Sequence, residues 1–83
     1  MLNHDVVTKL KADDPERLRI MDSLGALYRV TGKYDDAARL YHLAFTGRKK
    51  TLGPDHLDTL ASANNLAISY VYQGKYHEAA LLF

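Results

Sequence analysis

Two adjacent carboxamides, Asn64 and Asn65, are the side chains of this 83-residue sequence with the clearest capacity to recognise a ligand. A carboxamide carries a hydrogen-bond donor and an acceptor side by side, so it can bracket the peptide group of an extended polypeptide. Asparagine is also a poor helix former, which favours a use in recognition when two occur inside a helical segment. The alternative, two solvated polar residues on an exposed face, stays open at this point.

Other groups that could do chemistry lack a catalytic or metal-binding arrangement. The histidines at positions 4, 42, 56 and 77 have no spacing that places two of them on one helix face beside a third ligand, and the sequence has no cysteine to supply a thiolate. The stretch TGRKKT lacks the glycines of a phosphate-binding loop. We therefore expect surface or capping histidines, no metal, no cofactor and no enzymatic activity.

The consecutive cations Arg48, Lys49 and Lys50 are similar to a nuclear localisation signal or an RNA contact. They also fall in the last turns of a predicted helix, where positive charge interacts favourably with the negative end of the helix dipole. This structural role is the favoured interpretation of the cluster.

The composition is that of one small globular domain with nearly balanced charge. Eleven Lys and Arg face ten Asp and Glu, a net charge of +1, which is too small to draw the chain to nucleic acid or an anionic membrane. The absence of cysteine excludes disulfides, and the sequence contains neither a membrane-spanning apolar run nor a signal peptide. We expect a cytoplasmic protein.

Ten residues, GKYDDAARLY at 32–41, return in similar form as GKYHEAALLF at 74–83. A shift of 42 positions superimposes the chain on itself with eleven identical pairs among 41. Chance would produce roughly two or three such pairs. The sequence therefore contains one structural unit twice.

Apolar residues three or four positions apart predict two helices in each copy. In the first copy the first helix carries Leu18, Met21, Leu24 and Tyr28, and the second carries Tyr34, Ala37, Ala38, Tyr41, Ala44 and Phe45.

Capping residues predict where these helices begin and end. Asp14 is a good N-cap followed by Pro15 at the first helical position, and Gly32 can adopt the left-handed conformation that ends a helix. The second helix is predicted from about Tyr34 to Leu52, before the Gly-Pro pair at 53–54.

A single pair of helices buries little apolar surface, so we expect the copies to stack and share one core. Gly25 lies inside the first helix, where glycine costs about 1 kcal/mol relative to alanine. Its counterpart in the second copy is Ala67. This restriction to small residues predicts that the partner helix passes close to Gly25, through Ala37 and Ala38.

The repeated pattern resembles the tetratricopeptide repeat. It comprises Leu24, Gly25, Tyr28, Gly32, Tyr34, Ala37, Tyr41 and Ala44, repeated as Leu66, Ala67, Tyr70, Gly74, Tyr76, Ala79 and Phe83. The period of 42 and the stretch LGPDHLDTLASANNLA are similar to the kinesin light chain type of repeat. The resemblance implies an all-α fold of antiparallel helix-turn-helix repeats stacked as an α-solenoid. Residues 1–13 would be the tail of a preceding helix, 14–55 the first repeat, and 56–83 a second, truncated repeat.

The resemblance also implies that the first helix of each pair lines a concave surface that binds a peptide or partner domain. The residues predicted on this surface are Arg19, Asp22, Ser23, Ala26, Arg29, Val30, Ala61, Asn64, Asn65, Ile68, Val71 and Tyr72. Arg19 and Arg29 could pair with an acidic peptide, whereas Asp22 would oppose it or select a basic residue, so the charge of the ligand stays open. Solvation or weak pairing within the helix is the alternative for these charges.

Two further details concern the same predicted surface. The clamp that some members of the family use for a terminal carboxylate needs Lys and Asn where this sequence has Asp22 and Ala26, although Asn65 matches the second Asn of that clamp. Tyr72 could anchor an apolar group of a ligand or, alternatively, cover the next repeat.

The sequence thus favours a protein-interaction module, cut from a longer array in an adaptor or signalling protein. The alternative is a structural unit that associates with copies of itself by end-to-end stacking or helix exchange, since about two repeats are fewer than the three or so usually needed for stability.

Overall fold

The computed structural model describes residues 13–82 and contains four helices in that range. They are α1 (Pro15–Val30), α2 (Tyr34–Leu52), α3 (Leu57–Tyr72) and α4 (Tyr76–Ala80). Each helix packs on the next along the chain, and no strand occurs within residues 13–82. The all-α prediction is confirmed, whereas the predicted helical tail over residues 1–13 lies, apart from Asp13, outside the described residues.

The predicted start of α1 is confirmed. The Oδ1 atom of Asp14 accepts a hydrogen bond of 2.9 Å from the backbone N–H of Glu16, and Pro15 occupies the first helical position, where no N–H is needed. The start of α3 uses a histidine instead, because Nδ1 of His56 accepts from the N–H of Asp58 at 3.0 Å. His56 is therefore a capping residue, as expected.

The turn between α1 and α2 shows the structural roles of the repeated residue pair Gly32 and Lys33. Gly32 has φ +82°, the N–H of Gly32 donates to the carbonyl of Arg29, and the N–H of Lys33 donates to the carbonyl of Tyr28. These two bonds form a Schellman motif, which satisfies carbonyls that the helix end would leave unpaired. The Nζ atom of Lys33 also lies 5.8 Å from the centroid of the Tyr28 ring.

The turn between α3 and α4 repeats this geometry 42 positions later. Gly74 has φ +79°, its N–H donates to Val71, and the N–H of Lys75 donates to the carbonyl of Tyr70. The Nζ atom of Lys75 lies 5.9 Å from the centroid of the Tyr70 ring. The repeated sequence therefore encodes the same turn twice.

Replacing Gly32 with alanine is expected to lower the free energy of unfolding by about 1 kcal/mol, because an L side chain is strained at positive φ. An added Cβ would meet nothing within 4 Å, so the loss comes from backbone conformation alone. Urea denaturation measures it. Gly32→Asn is the control, since asparagine tolerates this conformation and should lose less. Equal losses of stability in both variants would contradict the conclusion that the positive φ of Gly32 causes the loss.

The helices form two layers around a narrow core. The Cα atoms extend over 43 × 29 × 14 Å. The shortest extent matches two layers, since an interaxial spacing of about 9 Å adds to a Cα diameter of about 4.6 Å. The centre of the core consists of Ala37, Ala38, Tyr41 and Leu66, with Tyr28, Phe45, Tyr70 and Leu82 packed around it.

The structure confirms that α2 approaches Gly25 but corrects which residue does so. A Cβ added to Gly25 would lie 2.8 Å from Cε1 of Tyr41, so the ring of Tyr41, rather than Ala37 or Ala38, fills the space above this glycine. The structure also shows a second close approach between α1 and α2, which the sequence analysis does not predict. A Cβ added to Gly47 would lie 2.6 Å from Cδ2 of Leu18.

Candidate functional site

Helices α1 and α3 lie side by side in the same layer and present the predicted binding surface. The Oγ atom of Ser62 in α3 lies 3.5 Å from Oδ2 of Asp22 in α1. Because α2 runs antiparallel to both, α1 and α3 point in the same direction. Residues of α1 therefore lie level with residues of α3 that are about 40 positions later, and we name this surface the α1/α3 face.

A polar cluster of three side chains lies beneath this face. Arg48 from α2 donates hydrogen bonds to Oδ2 of Asp22 and, at 2.7 Å, to Oγ of Ser62. The exposed fractions are 14% for the Arg48 side chain and 19% for Asp22, so the ion pair is largely screened from water. The other carboxylate oxygen of Asp22 is buried without a hydrogen-bond partner.

This cluster revises two sequence predictions. Arg48 was expected to act with Lys49 and Lys50 at the helix end, but its guanidinium points inward, and only the two lysines keep that role in the last turn. Asp22 was placed among ligand-binding charges, yet its carboxylate is engaged by Arg48. The spacing of residues along α2 is the sequence signal that could have indicated the inward position of Arg48. Arg48 continues the buried stripe of Ala37, Tyr41 and Ala44.

Eight of the twelve residues predicted on the binding surface are the candidates for ligand contact, and all eight are at least partly exposed. Arg19, Asn64 and Tyr72 are exposed, and the half-buried ones are Asp22, Ala26, Arg29, Asn65 and Ile68. The fully buried residues of α3 occupy the opposite side of that helix, at Thr59, Ser62, Leu66, Ala67 and Ser69.

Three of these residues form a stripe along α3. Asn65, Ile68 and Tyr72 are separated by three and four positions, which places them on one side of the helix over about 10 Å. Neither Asn64 nor Asn65 makes a side-chain hydrogen bond within residues 13–82. The amide of Asn65, a half-buried residue, is thus available to a ligand beside the side chains of Ile68 and Tyr72.

Tyr72 closes the stripe and contacts the preceding repeat. Its ring stacks on that of Tyr34, with 4.8 Å between centroids and an interplanar angle of 7°. Next to the stack, Nε2 of Gln73 donates to Oδ1 of Asp35 at 2.6 Å. Within the described residues, the aromatic partner of Tyr72 therefore lies in α2, in the preceding repeat. With 56% of Tyr72 exposed, part of the side chain remains open to a ligand.

Pairing within the chain reduces the mixed charge on this face. Arg19 forms an ion pair with Glu16 in which both side chains are more than half exposed, at 69% and 54%. Such a pair contributes little to stability and can exchange partners. Arg29 has no ion pair within residues 13–82. If the offset of about 40 between Asp22 and Ser62 holds along both helices, Arg29 is expected near the level of Ser69.

Comparison with known proteins agrees with this architecture. A family model described as tetratricopeptide repeat matches residues 5–83. The chain belongs to the tetratricopeptide repeat family. A search of curated proteins produced no match. Repeats of this family are non-catalytic and generally mediate protein–protein interactions.

Other surfaces of this tetratricopeptide repeat segment offer less to a ligand. An open depression of about 560 Å³ lies between α2 and α3, lined by residues such as Arg39, His42 and Tyr70, and includes none of the eight predicted residues. No cluster of three or more potential metal ligands occurs within residues 13–82. None of the helices in that range has both the length and the apolar content to cross a membrane.

Proposed function

We propose that this chain is a protein-interaction module that binds an extended peptide or partner segment on the α1/α3 face. The observation that carries the proposal is Asn65, a half-buried residue whose amide makes no hydrogen bond within the described residues and which lies in line with Ile68 and Tyr72. A hydrogen bond between this amide and a ligand contributes about 0.5–1.5 kcal/mol net. A peptide group supplies both the donor and the acceptor that it needs.

The neighbouring side chains define the chemistry of the ligand. Asp22 is already paired with Arg48, whereas Arg29 has no ion pair within the described residues and Arg19 can leave its exposed pair with Glu16, so the cations available on this face outnumber the free acids. The ligand therefore carries a carboxylate that reaches Arg29 and an apolar side chain that packs on Ile68 and Tyr72. Asn65, with the exposed Asn64 beside it, holds the main chain between these two groups.

We further propose that the repeats are of the kinesin light chain type, which the 42-residue period supports. The location in the cytoplasm and the absence of catalytic, nucleic-acid-binding and membrane functions stay predictions from the composition.

Replacing Asn65 with alanine is expected to weaken peptide binding about tenfold, the equivalent of one lost hydrogen-bond pair at about 1.4 kcal/mol. The probe is a panel of fluorescent peptides that each contain one Glu and one Leu or Phe at varied spacing, measured by anisotropy against the 83-residue chain. Arg29→Ala should produce a similar loss for these peptides but little change for a matched panel with Gln in place of Glu.

Arg39→Ala is the matched control for Arg29→Ala. Arg39 is an exposed arginine on α2, 3.6 Å from Asp36, and lies outside the α1/α3 face. Binding should be unchanged in this variant. A loss as large as that of Arg29→Ala, or equal binding of both panels by every variant, would place recognition elsewhere.

A second function, a structural unit that stacks with copies of itself, is favoured by a different observation. Helix α1 exposes three large apolar side chains, Ile20, Leu24 and Leu27. Peptide binding does not use these residues.

A further inference from the structure

The two copies of the repeat differ sharply in how one side of their first helix is covered. In α3 three residues face the preceding repeat, and their exposed fractions are 0% for Ser62, 1% for Leu66 and 0% for Ser69. The positions 42 residues earlier are exposed by 46% at Ile20, 41% at Leu24 and 57% at Leu27. Val30, which corresponds to Tyr72, is 77% exposed. We name these four residues of α1 the leading face.

The second helix of each copy shows the reverse difference. Ala38 of α2, which packs with Leu66, is 6% exposed, whereas its equivalent in α4, Ala80, is exposed. Tyr34 is half-buried under Tyr72, whereas its equivalent, Tyr76, is 68% exposed. We name the surface of α4 that carries Tyr76 and Ala80 the trailing face.

Among the described residues, these surfaces are the exposed equivalents of the two halves of one interface that the molecule already contains. Inside the chain, the α2 surface with Tyr34 and Ala38 covers the α3 surface with Leu66 and Tyr72. The trailing face repeats the former surface, and the leading face repeats the latter. What covers the leading face is therefore indicated by what covers its equivalent in α3, which is a second helix of this same repeat.

We propose that the trailing face of one molecule docks on the leading face of a second copy, in the register of the contact between the two repeats. In this register Tyr76 packs on Val30 of the second copy, as Tyr34 packs on Tyr72. Ala80 packs on Leu24, as Ala38 packs on Leu66. The inference develops the second function proposed above and, apart from Val30, uses no residue of the surface predicted to bind a peptide.

The chemistry of the leading face supports a partner of this kind. None of its four residues carries a charge, and branched Ile20 and Leu27 replace the serines that face α2 in the other copy. A contact between two different surfaces of the same chain leaves one surface of each kind free in a pair, so association continues beyond two chains as concentration rises.

Sedimentation equilibrium of the 83-residue chain is expected to show an average mass above the monomer value of 9.4 kDa that rises with concentration in the micromolar range. Leu27→Glu blocks the leading face, Tyr76→Glu blocks the trailing face, and each variant should remain at the monomer mass. Both sites are more than half exposed, at 57% and 68%, so the charges are tolerated by the fold, which circular dichroism checks. Leu57→Glu, at an 80% exposed position outside both faces, should associate as the unchanged chain does.

Mixing the two blocked variants distinguishes this arrangement from a symmetric dimer. The intact trailing face of the Leu27→Glu chain can dock on the intact leading face of the Tyr76→Glu chain, so an equimolar mixture should reach the mass of two chains and stop there. A symmetric contact between two leading faces predicts that the Tyr76→Glu chain alone still pairs.

Three results would overturn the proposal: a monomer at all concentrations, self-association of the Tyr76→Glu chain, or a mixture that stays monomeric. None of them bears on peptide binding, because Leu27 and Tyr76 lie outside the α1/α3 face. The Asn65→Ala variant should in turn assemble normally. The experiments therefore distinguish a failure of self-association from a failure of peptide binding.

Discussion

Replacing Arg48 with methionine is expected to lower the free energy of unfolding by about 3 kcal/mol. Methionine has a similar length but no charge, so the carboxylate of Asp22 would stay in a largely buried position without the guanidinium that neutralises it. Ser62 would lose its 2.7 Å hydrogen bond as well. For a domain of this size the loss corresponds to a fall of about 15 °C in the melting temperature, measured by circular dichroism.

Two further variants test whether the loss comes from the buried ion pair. Adding Asp22→Asn to Arg48→Met removes the stranded charge and should recover most of the stability. Arg39→Met removes a guanidinium 3.6 Å from Asp36 at the surface and should cost less than about 0.5 kcal/mol. If Arg48→Met and Arg39→Met were equally mild, the buried cluster would not contribute to stability in solution.

Replacing Gly25 with leucine is expected to lower the free energy of unfolding by a similar amount, about 3 kcal/mol. The first added carbon would already lie 2.8 Å from the Tyr41 ring, which is 1% exposed and has no room to withdraw. The remaining carbons would force Tyr41 out of the core that it forms with Ala37, Ala38 and Leu66. Urea denaturation followed by circular dichroism measures the loss.

Ser23→Leu is the control for this substitution. Position 23 lies on the same helix and is exposed, so the added side chain meets solvent rather than the core. The variant should unfold within about 0.5 kcal/mol of the unchanged chain. Equal stability of the Gly25→Leu and Ser23→Leu variants would contradict the close contact between α1 and α2.

Much of the fold could be predicted because its determinants are local. Asp14 and Pro15 mark the start of α1 through chemistry confined to one turn, and Gly32 marks its end through a backbone conformation that other residues avoid. Because the Gly-Lys pair recurs in the second copy, the same turn could be predicted there. Such signals depend on neighbours in sequence, which the sequence shows directly.

The side-chain partners could not be predicted, because they join positions that are distant along the chain. Arg48 belongs by sequence to a run of three cations, and only the crossing of α1, α2 and α3 brings Asp22 and Ser62 to it. Tyr41 reaches Gly25 through the length of its ring, which spacing alone does not reveal.

The candidate site divides in the same way. Periodicity was enough to place Asn65, Ile68 and Tyr72 on one side of α3, because one helix contains all three. The charge of the α1/α3 face depended on contacts between helices. Asp22, which counted as a free acid in the sequence, is paired in the structure, and this pairing supports the proposal of an acidic ligand.

The cluster of Arg48, Asp22 and Ser62 also gives two similar repeats a fixed order. The equivalent of Asp22, 42 positions later, is Asn64, which carries no charge, and the equivalent of Ser62, 42 positions earlier, is Ile20, which has no hydroxyl group. If a copy of the first repeat stood in place of the second, Arg48 would face the aliphatic side chain of Ile20 and lose its hydroxyl partner. The first repeat can therefore precede the second but cannot replace it, so the cluster distinguishes the two directions along the chain.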